Sequence, residues 1–243
     1  MSKHISDRPH IVFLFSDTGG GHRSAAQAII EALELEFPGQ TTQEMVDVFR
    51  EYAPPPLSMA PDIYPPLSRM PRVWGMGYRL SDGPRRTRLL YQILWPYIRW
   101  GLQRLIREHR GDLIVSVHQL LNDPMARAIA NSKTQIPFAT VVTDLVTTHA
   151  AWYTNRANLI IVPTSVAYRR AQKLGISADR MQIVGLPVAD RFCRPPGGRA
   201  EIRARLGWPQ NLPVVILVGG GEGMGPLEPT ARAINASGLP VHL

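Results

Sequence analysis

Apolar residues in this chain fall into two alternating patterns, short unbroken runs and longer stretches with helical spacing. Ile11-Val12-Phe13-Leu14-Phe15 is unbroken, as in a strand buried on both faces of a parallel sheet. Ala26, Ile29, Ile30, Leu33 and Phe37 then recur at helical intervals until Pro38-Gly39 ends the helix. Residues 42–49 read as a second strand carrying Met45, Val46 and Val48, and Leu113-Ile114-Val115-Ser116-Val117 as a third, ending in His118. A helix over 122–131 leads to a fourth strand over 137–142, ending in Thr143-Asp144. A fifth strand over 158–162, a helix over 165–174 closed by Gly175, and a short strand over 181–184 complete the rhythm. Strands alternating with helices predict an α/β fold, a Rossmann-like parallel sheet with right-handed crossovers.

Two stretches depart from this rhythm. From Ala53 to Pro71 prolines are frequent. Trp74, Met76 and Tyr78 follow, then Arg85-Arg86-Thr87-Arg88, then a run from Leu89 to Trp100 that contains Trp95. Leu102, Leu105 and Ile106 read as the core face of an ordinary crossover helix. The second departure begins at Arg194-Pro195-Pro196-Gly197-Gly198, which has the composition of a linker. Beyond it come a short helix over 202–206, an apolar strand over 213–218, a second glycine-rich turn (Gly219-Gly220-Gly221-Glu222-Gly223-Met224-Gly225), a helix over 227–235 and a strand start at 239–241. The expected organisation is a domain over 1–192 with a basic aromatic insertion at about 53–110, a linker and short helix over 193–212, and the incomplete start of a second Rossmann-like domain over 213–243.

Charge sharpens the reading of the first departure. Between Arg69 and Arg110 there are ten arginines, no lysine and only Asp82 and Glu108 as acids. That local excess equals the +8 of the whole 243-residue chain. Large apolar rings interleaved with guanidinium groups are what an interfacial membrane segment requires. Rings sit at headgroup depth while arginines pair with lipid phosphates. Trp74, Arg85, Arg86, Arg88 and Trp95 are the candidate membrane contacts, and anionic lipids the candidate partner. The plainer alternative is that the apolar residues pack inward and the arginines face water. No nucleic-acid-binding signature accompanies the charge. The single cysteine, Cys193, excludes an internal disulfide and a multi-cysteine metal site. The polar N-terminus gives no sign of a signal peptide, and no apolar run approaches the roughly 20 residues that span a bilayer. The expected location is cytoplasmic, peripheral to a membrane.

The chemistry concentrates at Ser16-Asp17-Thr18-Gly19-Gly20-Gly21-His22-Arg23-Ser24, between the first strand and the first helix. Glycines at such a turn leave backbone N–H groups uncovered at a helix N-terminus, where doubly wound folds hold ligands. A phosphate-binding P-loop needs Lys and then Ser or Thr, where His22-Arg23 stand; the dinucleotide fingerprint needs glycine where Ser24 stands, although Asp47 could mimic its ribose acid. A tight turn with a solvated histidine is the structural alternative. His118 and His149, with Asp17 and Asp144, fall at strand ends or in the next loop and are candidates for the same crevice.

These motifs resemble one family. Ser-Asp-Thr-Gly-Gly-Gly-His-Arg (16–23), Val-Val-Thr-Asp-Leu (141–145) with His149 and Trp152, Gly-Leu-Pro-Val (185–188) and Gly-Gly-Gly-Glu-Gly-Met-Gly-Pro (219–226) are similar, in this order, to the motifs of monogalactosyldiacylglycerol synthases. Those enzymes are related to processive diacylglycerol glucosyltransferases and, more distantly, to the peptidoglycan N-acetylglucosaminyltransferase. The resemblance covers nearly the whole chain. It implies the two-domain GT-B architecture and an inverting, metal-independent transfer of galactose or glucose from UDP-galactose or UDP-glucose to diacylglycerol, with no further cofactor. It implies that His22 helps to deprotonate the acceptor hydroxyl, alone or with an anionic lipid. Asp17 and Asp144 are the competing bases, and Gly19, Gly20, Gly21, His118, His149 and Trp152 are acceptor-site candidates. Gly219, Gly220, Gly221, Glu222, Gly223, Met224 and Gly225 are the candidate donor-diphosphate loop. Later donor-domain residues do not occur in the sequence, so the chain alone is expected not to transfer sugar. A polyprenyl-linked acceptor and a non-catalytic membrane-binding module are the alternative readings.

Overall fold

The computed structural model describes residues 8–18, 20–68, 70–194, 196–219 and 225–243. The chain divides into two compact units, Met1–Ala189 and Asp190–Leu243. In the first, β1 (His10–Phe15), β2 (Thr42–Asp47), β3 (Leu113–Ser116), β4 (Phe138–Val141), β5 (Leu159–Val162) and β6 (Met181–Ile183) form one sheet in the order β2-β1-β3-β4-β5-β6. All five pairings are parallel. The order reverses between β1 and β3, and in such sheets ligands bind beyond the strand C-termini at that switch point.

The unbroken apolar run of β1 serves two cores. Val12 and Leu14 point to the larger one, with α5 (Pro84–Glu108), α6 (Asn122–Asn131) and α7 (Ser165–Lys173). Ile11, Phe13 and Phe15 point to the other, with Ala26, Ile29, Ile30 and Leu33 of α1 (Gly20–Glu36). Alternating side chains of a doubly covered strand require this. Thr164 caps α7, its hydroxyl accepting from the Ala167 N–H, and Gly175 (φ 84°) ends the turn after it.

Residues 48–110 differ from the sequence expectation. β2 stops at Asp47, whose carboxylate caps a short helix, α2 (Val48–Tyr52). The proline-rich stretch then forms α3 (Ala60–Ser68) and α4 (Pro71–Ser81), and α5 runs for 25 residues straight through Pro96. A buried stripe on α5 outweighs the hydrogen bond that Pro96 removes. Tyr91, Leu102, Leu105 and Ile106 are buried, with Trp95 and Ile98 packed behind them. Gly83, at φ 115°, and Pro84 at the first helical position start the helix.

The close packing of α2 on α5 depends on Gly101. A Cβ there would lie 1.8 Å from the Tyr52 carbonyl oxygen. Backbone cannot yield as a side chain can. Gly101→Ala is therefore expected to destabilise the unit by about 3 kcal/mol, the upper end for an overpacked interior. Urea unfolding measures this, and a midpoint unchanged from the parent would contradict the packing.

In the second unit, α8 (Arg199–Arg205) holds the following turn through Arg203, which donates to the carbonyls of Pro209 (2.9 Å), Gln210 (3.2 Å) and Leu212 (2.9 Å). The strand expected over 213–218 is reduced, among the described residues, to one parallel bridge between Val214 and His242. Its apolar residues lack neighbours to cover them, and Val218 is 83% exposed. α9 (Leu227–Ala236) lies between the bridge partners in sequence.

Candidate active site

Helix α1 begins at Gly20, directly beyond β1, and brings His22 against the end of β3. His22 Nδ1–H donates to the Val117 carbonyl at 2.7 Å. A carbonyl can only accept, so Nδ1 carries the proton and Nε2 keeps its lone pair. Gly20 and Gly21 are exposed at the start of the helix, and a Cβ on either would meet no atom within 4 Å. Open space therefore lies over the first-turn amides, which have no partners within the helix. Gly19 lies outside the described residues.

Behind His22 stands a second histidine. His118 is buried, with ring centroids 4.4 Å apart. Its Nδ1 accepts from the Leu120 N–H (3.3 Å), so Nε2–H donates to Thr18 Oγ1 (2.9 Å). Trp152, fully buried, places its ring centroid 6.0 Å from His22 and donates its indole N–H to Asp144 Oδ2 at 2.7 Å. Neither His118 nor Trp152 offers the free face expected of an acceptor contact. Both are enclosed and support His22 from behind.

Electrostatics keep the histidines neutral. Burial pushes His22 below the usual imidazole value, against the raising effects of the Val117 carbonyl and the Asp144 carboxylate. His118 is pushed well below it, by burial first and by the adjoining His22 second. A neutral His22 whose Nε2 has no hydrogen-bond partner among the described residues can accept a proton near neutral pH.

The other candidates occupy different environments. The Asp17 carboxylate takes two N–H bonds from Arg23, at 2.8 and 2.5 Å, and Arg23 holds its acid below the usual range. That makes Asp17 a weak base. Asp47 accepts from the N–H groups of Asp17 and Arg50, both at 3.2 Å, so its carboxylate organises the loop backbone rather than awaiting a ribose. His149 is tied to α4. Its Nδ1 accepts from the Ala151 N–H (3.1 Å), its Nε2 faces Ser81 Oγ (3.2 Å), and its ring stands edge-on to Tyr78. Burial lowers it, and Asp82 and Asp144 oppose that. In the same knot Asp82 accepts from the Ala150 N–H (2.8 Å) and from Arg170 (2.9 and 3.1 Å). In the glycine turn of the second unit, Gly219 and Gly225 (φ 110°) are described; Gly220, Gly221, Glu222, Gly223 and Met224 lie outside the described residues.

Four participants were not legible as such in the sequence: the Val117 carbonyl, Thr18, Arg23 as the partner of Asp17, and Phe49, whose ring meets His118 edge-on at 5.3 Å. Val117 and Thr18 adjoin singled-out residues, which was the available signal. Phe49 carried none.

On α5, an exposed apolar stripe (Leu89, Ile93 and Trp100) runs beside the exposed Arg85, Arg86 and Arg88, and α4 adds the exposed Trp74, Met76 and Leu80. Trp95 instead turns inward, half-buried under the Arg127 guanidinium at 4.2 Å. Among the described residues, no helix is long and apolar enough to cross a membrane.

A parallel sheet whose strand order reverses between β1 and β3 defines a Rossmann-like α/β fold. Residues 22–188 match the monogalactosyldiacylglycerol (MGDG) synthase family. The chain is 35% identical over 233 residues to monogalactosyldiacylglycerol synthase 1, chloroplastic, of Arabidopsis thaliana, covering 94% of this chain and 44% of that protein. It is likewise 35% identical over 230 residues to the chloroplastic synthase of Spinacia oleracea, covering 92% and 43%. The crystal structure of Anabaena Alr3699/HepE in complex with UDP-glucose shares the fold, with a TM-score of 0.50 at 13% identity, covering 96% of this chain and 59% of that one. The chain belongs to the monogalactosyldiacylglycerol synthase family. It spans less than half the length of the curated relatives it matches.

Proposed function

We propose that this chain forms the acceptor half of an enzyme that transfers galactose, or glucose, from a UDP-sugar to the free hydroxyl of diacylglycerol. The observation that carries the reading is the His22 hydrogen bond to Val117, which fixes the proton on Nδ1 and leaves Nε2 without a partner among the described residues, two positions into a helix whose first glycines face open space. In the reaction the acceptor oxygen forms a bond to the anomeric carbon while the bond from that carbon to UDP breaks. The hydroxyl proton passes to His22 Nε2, and UDP leaves with the bonding pair. Attack opposite the leaving group inverts the anomeric centre. The new imidazolium is stabilised by Asp144, whose carboxylate already favours the charged form of His22. His118, Trp152 and Thr18 hold the ring in place; Gly20 and Gly21 leave room for the glycerol headgroup. The glycine-rich sequence at 219–225 is the proposed support for the donor diphosphate.

The apolar stripe of α5, with Arg85, Arg86 and Arg88 beside it and the exposed apolar residues of α4, is the proposed contact with an anionic bilayer. It would place the lipid acceptor within reach of the site. Because the relatives are about twice as long, transfer is best assayed in a chimera that continues this chain with the C-terminal part of the Arabidopsis synthase. Labelled UDP-galactose with diacylglycerol should yield galactolipid. Label appearing only on a polyprenyl phosphate, or on neither lipid, would refute the acceptor assignment.

A further inference from the structure

Under α5 lies an apolar pocket with a cavity volume of about 90 Å³. Val48, Phe49, Tyr52 and Ala53 line one side, and Leu90, Leu94, Ile98 and Leu102 of α5 another. The two tyrosines add almost no polarity, because their hydroxyls are engaged elsewhere. Tyr52 donates to Glu108 Oε2 at 2.7 Å, and Tyr91, also in the lining, to the Gln119 carbonyl at 3.3 Å. Protein interiors close-pack, and an apolar void forfeits contacts around its whole wall. A narrow pocket with this lining is therefore suited to a slender apolar occupant.

Its position identifies that occupant. Phe49 forms part of the wall and also meets His118 edge-on, and His118 packs on His22 at 4.4 Å. Leu120, another lining residue, gives its N–H to His118. At the other side, Leu90 and Leu94 directly follow the exposed Leu89 and Ile93 in α5. The pocket thus adjoins His118, the inner member of the histidine pair, at one wall and the exposed apolar face of α5 at another. We propose that it is an acyl slot, in which one fatty-acyl chain of the glycerolipid lies beneath α5 while the glycerol hydroxyl reaches His22. The inference rests on the diacylglycerol reading for the identity of the lipid. On this account Leu94, Ile98 and Ala53 set which chain lengths are accepted, independently of the chemistry at His22.

Calorimetry with the 243-residue chain and two monomeric probes, 1-octanoylglycerol and 1-decanoylglycerol, tests the slot. If both extra methylenes are buried, the decanoyl probe should bind about 15-fold more tightly. Ala53→Trp, which fills the space from α2, should reduce that ratio to about 2-fold or less. Equal affinity for both probes in the parent, or an undiminished ratio in a folded Ala53→Trp, would overturn the slot. A diazirine near the end of an acyl chain of diacylglycerol provides a readout on the parent chain. Adducts at Phe49, Leu94 or Ile98 are expected, and adducts confined to Leu89, Ile93 and Trp100 would place the chain on the outer face instead. The two readings fail separately. Slot labelling without sugar transfer in the chimera would remove the catalytic reading and keep the slot; transfer without slot labelling would do the reverse.

Discussion

Replacing His22 by alanine is expected to lower sugar transfer by about 10²–10⁴-fold, the usual contribution of a positioned general base. In the chimera described above, donor binding should be nearly unchanged, since the diphosphate is assigned to a different unit. The sign of the pH dependence follows from the site. Burial holds the His22 pKa below the usual value of about 6.5, so the ring is in its basic form at neutral pH. Activity should fall only as the pH drops through this lowered pKa, as Nε2 takes a proton from solvent, and His22→Ala should abolish this acid limb. Asp144→Asn provides a further check. The carboxylate raises the His22 pKa, so its removal should move the acid limb to lower pH while reducing kcat by less than the loss of the ring. A His22→Ala variant with raised KM and unchanged kcat would transfer the role of base to a carboxylate. Asp17 is then the poorer choice, because Arg23 already holds its charge.

The second large effect concerns the membrane. Binding to vesicles containing phosphatidylglycerol should weaken steeply with salt, and replacing Arg85, Arg86 and Arg88 together by glutamine should reduce it by about 100-fold, at roughly 5-fold per charge near the surface. All three side chains are exposed beside the apolar stripe of α5; Arg85 and Arg88 can be replaced without touching the core, and Arg86 gives up one bond, to the Arg79 carbonyl at 2.8 Å. Sedimentation with anionic and neutral vesicles measures both effects. Equal binding to the two vesicle types would show that the arginines serve only solubility. A Trp100→Ala variant should weaken binding to both types, because Trp100, 64% exposed, would contribute apolar insertion rather than charge.

Local pattern determined much of this protein. Runs such as residues 11–15 specify buried parallel strands, because side chains on both faces must be apolar when both faces are covered. The glycine-histidine turn and the confinement of charge to residues 69–110 are likewise properties of contiguous sequence. Tertiary structure decided the rest. Prolines at 65, 66 and 96 argue against helix, yet α3 and α5 include them; along α5 the energy of a packed stripe exceeds that of the single hydrogen bond lost at Pro96. His149 resembled His118 as a residue near a strand end, but the fold spends its ring on α4. His22 acquires its tautomer from a carbonyl 95 residues away, and the acyl slot draws its walls from α2, α5 and the turn after β3. Such partners meet only because the parallel crossovers bring the ends of β1, β2 and β3 together, and no local spacing encodes that meeting.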